Sequence, residues 1–110
     1  MKRVKKRYVA FSSEPKFSPI EIFRAVQASY RELFGLTGLA SADLKLAKGY
    51  QEEGIAIIRC ALKSVPRLFL AGAAVTKIGG ERAAVRALTM SGTIKKVKKK
   101  INALKIGGLI

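Results

Sequence analysis

Histidine is absent from the 110-residue sequence, and Cys60 is its only cysteine. Histidine is the side chain that most often acts as a general base near neutral pH. Its absence therefore excludes Ser–His and Cys–His nucleophile pairs and nucleases with a histidine base. A single cysteine excludes internal disulfides and cysteine zinc sites.

Acidic residues are also scarce, since the chain has seven Asp and Glu in total. The one adjacent pair, Glu52 and Glu53, would point to opposite sides of an extended segment, so a two-metal phosphodiesterase site is not expected. Neither of the phosphate-binding glycine motifs, G-x-x-x-x-G-K-[ST] and G-x-G-x-x-G, is present. We expect no catalytic site in this chain and no cofactor bound by it.

Long apolar runs are missing as well. The longest stretch without a charge, residues 33–42, has ten residues, whereas a membrane-spanning helix needs about 20 apolar residues. Residues 8–13, which follow the basic start, are too few for a secretory leader and are followed by Glu14 and Pro15. We expect a cytoplasmic protein that does not act at a membrane.

Basic residues are in large excess: 22 Lys and Arg give a formal net charge of +15. Half of them lie at the two ends of the chain. They are Lys2, Arg3, Lys5, Lys6 and Arg7 at the start, and Lys95, Lys96, Lys98, Lys99, Lys100 and Lys105 near the end. Cations at this density attract polyanions by counterion release, so nucleic acid is the leading partner class and an anionic membrane the next. Solvated ends that only aid solubility are the third interpretation.

The first half of the chain predicts a strand and then a helix. Residues 4–11 are rich in β-forming side chains and predict the first strand. A helix follows, with Ser18 as its N-cap and Pro19 at its first position, and Gly35 is predicted to end it. The glycine-broken segment 36–41 is expected to form a short turn.

The second half predicts a hairpin, a helix, a strand and a final helix. Residues 43–50 and 55–62 form the hairpin, Ser64 caps a second helix that runs to Gly79, and residues 82–90 form the last strand. A basic amphipathic helix over residues 93–106 is capped by Thr93. Its apolar stripe is Ile94, Val97, Ile101 and Leu104.

This order of elements, β-α-β-β-α-β with an extra C-terminal helix, is typical of a ferredoxin-like, RRM-like α+β sandwich with an antiparallel sheet. We expect a single domain over residues 1–110, with residues 1–7 as a basic N-terminal end. The usual strand order, 4-1-3-2, places the fourth strand beside the first. The two basic ends should then meet in one positive patch.

RNA-recognition modules of this fold stack bases on aromatic residues of the central strands. The third strand here has no aromatic residue, and Tyr8 is the one candidate stacking ring. Recognition of phosphates and shape by Lys and Arg remains, with the open sheet face or residues 36–40 left for another protein. Arg59 is costly to bury unpaired, so we expect it at a sheet surface or a partner, with an internal ion pair as the alternative.

Four blocks in fixed order resemble the ribonuclease P protein component 2 family of archaea. They are residues 6–11 (KRYVAF), 33–40 (LFGLTGLA), 54–60 (GIAIIRC) and 91–96 (SGTIKK). The resemblance covers nearly the whole chain, and it implies a non-catalytic subunit of the ribonucleoprotein that removes 5′ leaders from precursor tRNA. In that particle the RNA performs the chemistry, with magnesium at the RNA active site.

The resemblance also implies partners: the ribonuclease P RNA, precursor tRNA, other ribonuclease P proteins and ribonuclease P protein component 3. The family often forms a heterotetramer with component 3 that contains two copies of each. We assign the protein interface to Leu36, Leu39 and Tyr8. We assign RNA binding to Lys2, Arg3, Lys5, Lys6, Arg7, Arg59, Lys95, Lys96, Lys98, Lys99 and Lys100.

Two other classes stay open. A ribosomal or general RNA-binding protein of ferredoxin-like fold would explain the charge but not the four ordered blocks. A small-molecule regulatory sandwich would explain the fold but not the net charge of +15.

Overall fold

A four-stranded antiparallel sheet organises residues 5–108, the part of the chain that the computed structural model describes. The elements are β1 (Lys6–Glu14), α1 (Pro19–Ala42), β2 (Lys45–Tyr50), β3 (Ile55–Ala61), α2 (Val65–Ala73), β4 (Lys77–Ile78), β5 (Glu81–Arg82), β6 (Ala84–Ser91) and α3 (Ile94–Ile106). The sheet order is β2-β3-β1-β6, and β4 pairs with β5 in a separate ribbon. With β6 as the fourth long strand, the predicted ferredoxin-like order is confirmed.

Helices lie on both faces of the sheet. Alternate residues of β1 point to opposite faces, so Val9 and Phe11 enter the main core with α1 and α2, while Ala10 faces α3. The α3 cluster consists of Ala10, Ile55, Ile57, Val97 and Ile101. The expectation of an open sheet face is therefore wrong, because α3 packs on it. Within residues 5–108, no helix is both long enough and apolar enough to cross a membrane.

Helix α1 begins as predicted but ends later. The Ser18 hydroxyl accepts a hydrogen bond from the Glu21 amide at 3.4 Å, and Pro19 is the first helical residue. Gly35, with φ 74°, breaks the helix, after which the chain turns helical again as far as Ala42. The prediction of a short turn over residues 36–41 is wrong. Leu39 packs against the main core, and this contact stabilises a second helical segment after Gly35.

The predicted end of α2 is also wrong. The helix stops at Ala73, and Gly79 and Gly80, expected to end it, instead form the turn between β4 and β5. Both have positive φ, 58° and 83°, which the tightest hairpin turns require and glycine supplies without strain. Ser64 precedes α2, but its hydroxyl makes no capping hydrogen bond. The last long strand, β6, is shifted by one or two residues from the predicted 82–90.

Gly72 lets α2 approach the sheet closely. A Cβ at this position would lie 2.7 Å from Cε1 of Phe11, a side chain that is fully buried in the main core. We expect Gly72→Val to lower the free energy of unfolding by about 1–3 kcal/mol through overpacking. Ala73→Val, at an exposed position of the same helix, is the matched control. Equal denaturation midpoints for the two variants would show that this contact is not tight.

Candidate nucleic-acid interface

Strand pairing brings the basic start of β1 next to the start of α3. Tyr8 lies opposite Ser91 in the β1–β6 ladder, and the Arg7 guanidinium lies beside Gly92, 3.4 Å from the place of a Cβ there. Arg7 also donates a hydrogen bond to the Lys6 carbonyl at 2.9 Å. Lys5 is exposed at the same end. The starts of β1 and α3 are therefore neighbours, but Arg7 lies opposite Cys60 on the main-core side of the sheet. A single positive patch formed by the two basic ends stays a prediction, and Lys2 and Arg3 lie outside the described residues.

Helix α3 presents an apolar face inward and a basic face outward. Thr93 accepts a hydrogen bond from the Lys96 amide at 3.3 Å, so it caps the helix as predicted. Val97 and Ile101 are fully buried, which is worth about 1.5–3 kcal/mol for each side chain. Lys95, Lys96 and Lys99 are exposed and Lys98 is half-buried; none of their ammonium groups is paired within residues 5–108. We call Lys95, Lys96, Lys98 and Lys99 the outer lysines.

Two further lysines of α3 are engaged within the protein. Lys100 Nζ donates to the Met90 carbonyl of β6 at 2.9 Å. Lys105 pairs with Glu53 in the β2–β3 turn and lies 5.9 Å from the centre of the Tyr50 ring. This hydrogen bond holds the pKa of Glu53 below its ordinary value and raises the pKa of Lys105. Both lysines therefore fix α3 over the sheet, and Lys100 is less available to a ligand than the outer lysines.

A second charged group lies on the same sheet face, around the residue that ends α1. Lys6 Nζ is 2.7 Å from Asp43 Oδ2, and Arg59 Nη2 is 3.7 Å from the same oxygen. The hydrogen bond from Lys6, aided by the charges of Lys6, Lys45 and Arg59, holds the pKa of Asp43 below its ordinary value. We call Lys6, Asp43, Lys45 and Arg59 the Asp43 cluster. Arg59 thus lies at a sheet surface and also takes part in an ion pair. The sequence had offered these two positions as alternatives, and both hold.

Lys45 was missed as a candidate from the sequence. It lies directly opposite Arg59 in the β2–β3 ladder, and Tyr8 lies opposite Arg59 in the β1–β3 ladder. Residues that pair in this way share a face of the sheet. Lys45 lies between Leu44 and Leu46, and this alternation of apolar and polar residues could have marked it as facing away from the main core. The strand register that places it beside Arg59 is known only from the folded sheet.

The three residues assigned to a protein interface differ in exposure. Leu36 is 65% exposed, next to the kink in α1. Leu39 is half-buried against the main core, and Tyr8 packs against the α3 cluster, so its ring is not an open stacking platform. A shallow groove of about 540 Å³ lies beside the kink. It is lined by Arg24, Gln27, Ala28, Arg31, Glu32 and Leu39.

The potential metal-ligating side chains of the described residues are dispersed, and the cysteine is buried. No group of three carboxylate or cysteine side chains within residues 5–108 is placed to hold a metal ion. Burial raises the pKa of the Cys60 thiol to about 11, so the nucleophilic thiolate is scarce at neutral pH. The chemistry that this surface supports is the binding of anions.

Comparison with known proteins gives a consistent set of relatives. The profile of the Rpp14/Pop5 family matches residues 7–102. Ribonuclease P protein component 2 of Methanosarcina mazei is 36% identical over 100 residues, which cover 89% of this chain and 84% of that protein. The protein of the same name from Pyrococcus furiosus is also 36% identical over 100 residues, 89% of this chain and 83% of that protein. A chain in the cryo-EM structure of yeast ribonuclease MRP is similar in fold, with a TM-score of 0.61 and 11% identity over 94% of this chain and 95% of that chain.

Proposed function

The chain belongs to the Rpp14/Pop5 family, and from this premise we propose that it is a cytoplasmic protein subunit of ribonuclease P that binds the catalytic RNA. The observation that carries the proposal is the arrangement of α3, in which Val97 and Ile101 are buried on the sheet while three of the four outer lysines are exposed and Lys98 is half-buried. Ammonium groups held on a docked helix can neutralise several phosphates at once. The names of the archaeal relatives, ribonuclease P protein component 2, indicate ribonuclease P as the ribonucleoprotein in which the chain acts.

The chain's part in the reaction is placement of the RNA. Its cations reduce the repulsion between phosphates that approach one another in the folded catalytic domain. Magnesium held by the RNA would supply the metal chemistry at the scissile phosphate. Within residues 5–108, no group of three potential metal-ligating side chains is present, and the proposal assigns none of the chemical steps to this protein.

Cleavage of precursor tRNA by a reconstituted particle tests this function. The catalytic RNA and protein component 3 are combined at low magnesium, with this chain supplied or omitted. Supplying the chain should raise the cleavage rate and lower the magnesium concentration needed. A rate that is the same without the chain would refute the proposal, and equal binding to ribosomal RNA would instead indicate a general RNA-binding protein.

We further propose that protein component 3 docks at the kink of α1, where Leu36 is the most accessible large apolar side chain. Leu36→Glu would place a carboxylate in that interface, and the cost of its desolvation should weaken binding of component 3 at least about tenfold. Isothermal titration calorimetry measures this directly. Leu70→Glu, at a leucine of α2 that is 55% exposed, is the matched control. Unchanged affinity for Leu36→Glu would rule out this interface.

A further inference from the structure

The Asp43 cluster has more positive charge than its single carboxylate can balance. Lys45 and Arg59 face each other across β2 and β3, and like charges in directly opposed positions destabilise a sheet. Asp43 is the one carboxylate of the cluster, and its shortest contact is with Lys6 Nζ, at 2.7 Å. The structure therefore places two adjacent cations, Lys45 and Arg59, on one sheet face, and the nearest carboxylate, Asp43, is shared with Lys6.

Arg59 has hydrogen-bonding capacity that the protein does not use. Its guanidinium carries five N–H donors, and none of them forms a hydrogen bond with the described residues. The Nε atom is buried without a partner, and the Asp43 oxygen, 3.7 Å from Nη2, is beyond hydrogen-bonding distance. The side chain is still 27% exposed, so an incoming anion can reach it.

We propose that Arg59 and Lys45 form a binding site for one phosphate group of the RNA backbone, and that Asp43 is the internal anion opposite these cations until the RNA binds. A phosphate matches the planar fork of an arginine and accepts two parallel N–H bonds from it, which a lysine cannot supply. Lys45 would neutralise a further oxygen of the same group. The inference rests on the proposed function and assigns a particular contact within it.

This site lies on the same face of the sheet as α3, which carries the outer lysines. Tyr8 lies opposite Arg59 and packs against the α3 cluster, so Arg59 lies at the margin of the surface that α3 covers. Lys98 precedes Lys105 by two helical turns and projects from the same side of α3. That side faces the β2–β3 turn, where Lys105 meets Glu53. One RNA strand could therefore contact both α3 and the Asp43 cluster.

Arg59→Lys tests the site, because it keeps the charge and removes the fork. We expect the Kd for the catalytic RNA to rise about tenfold at a fixed, moderate salt concentration, as for the loss of one charge-assisted hydrogen bond. Arg86→Lys, at an exposed position of β6, is the matched control and should change the Kd less than about twofold. Thermal unfolding of both variants checks that they fold.

Lys45→Gln, at an exposed position, provides a second test and should weaken binding of the catalytic RNA about threefold.

Asp43→Asn tests the role of the internal anion. Asparagine tolerates the left-handed φ of 51° at this position about as well as aspartate. Loss of the carboxylate should lower the Kd about threefold and steepen its dependence on salt, because it releases cations for phosphate. Weaker binding of this variant would show that Asp43 positions the cations and does not stand in for a phosphate.

The outcomes separate this site from the proposed function. If Arg59→Lys and Lys45→Gln behave like the control while substitution of the outer lysines weakens binding, the phosphate site is refuted and the function stands. If the unsubstituted chain does not bind the catalytic RNA, the function itself is refuted.

Discussion

Replacing the four outer lysines together by alanine should weaken binding of the catalytic RNA by more than about 100-fold at 50 mM salt. Each ammonium group that neutralises a phosphate releases condensed counterions, so the slope of log K against log salt should become shallower by about 3–4. The affinities of variant and parent should therefore converge as salt rises. Filter binding or fluorescence anisotropy across a salt series measures both quantities.

A control with the same loss of charge separates local contact from net charge. Arg24, Arg31, Lys77 and Arg82 are exposed and lie outside α3, two of them on α1 across the sheet. Their joint replacement by alanine removes as many cations but should leave most of the affinity and most of the salt slope. Equal effects of the two quadruple variants would mean that the RNA responds only to overall charge. A loss that is constant at all salt concentrations would argue against phosphate contacts.

Short-range sequence patterns predicted the starts of two helices and the docking of α3. The Ser18–Pro19 start of α1 and the Thr93 start of α3 follow from capping chemistry that depends only on neighbouring residues. The apolar stripe of α3 predicted that this helix docks, and Val97 and Ile101 are fully buried as that stripe requires. Such features need no knowledge of the rest of the chain.

What the sequence did not predict depends on contacts between distant segments. Gly35 has the local signature of a helix end, yet packing of Leu39 against the core restores helix beyond it. The pairing of Lys105 with Glu53 and the placement of Lys45 beside Arg59 both depend on strand register and on the path of α3. The sequence identified α3 as cationic but could not separate lysines that tie the helix down from lysines that face solvent.

Ile101→Ala should both destabilise the protein and weaken RNA binding, although it removes no charge. Ile101 is fully buried in the α3 cluster, and its truncation should cost about 2–5 kcal/mol of unfolding free energy. Helix α3 is sensitive to this loss because Lys95 and Lys99, and likewise Lys96 and Lys100, are like-charged neighbours one turn apart. A 13-residue helix of this kind is marginal without its docking contacts.

The lost energy should appear first as local opening of α3, seen as faster amide hydrogen exchange there than in α1 or α2. Ile106→Ala, at a side chain that is 89% exposed, removes the same group from the same helix and should change stability by less than about 0.5 kcal/mol. If Ile101→Ala frees α3 and the RNA affinity stays unchanged, the lysines act as an unstructured cationic tail. If affinity falls along with exchange protection, the sheet contributes by holding the lysines at a spacing that the phosphates of the RNA can meet, and the buried α3 cluster then acts on RNA binding through the placement of those lysines.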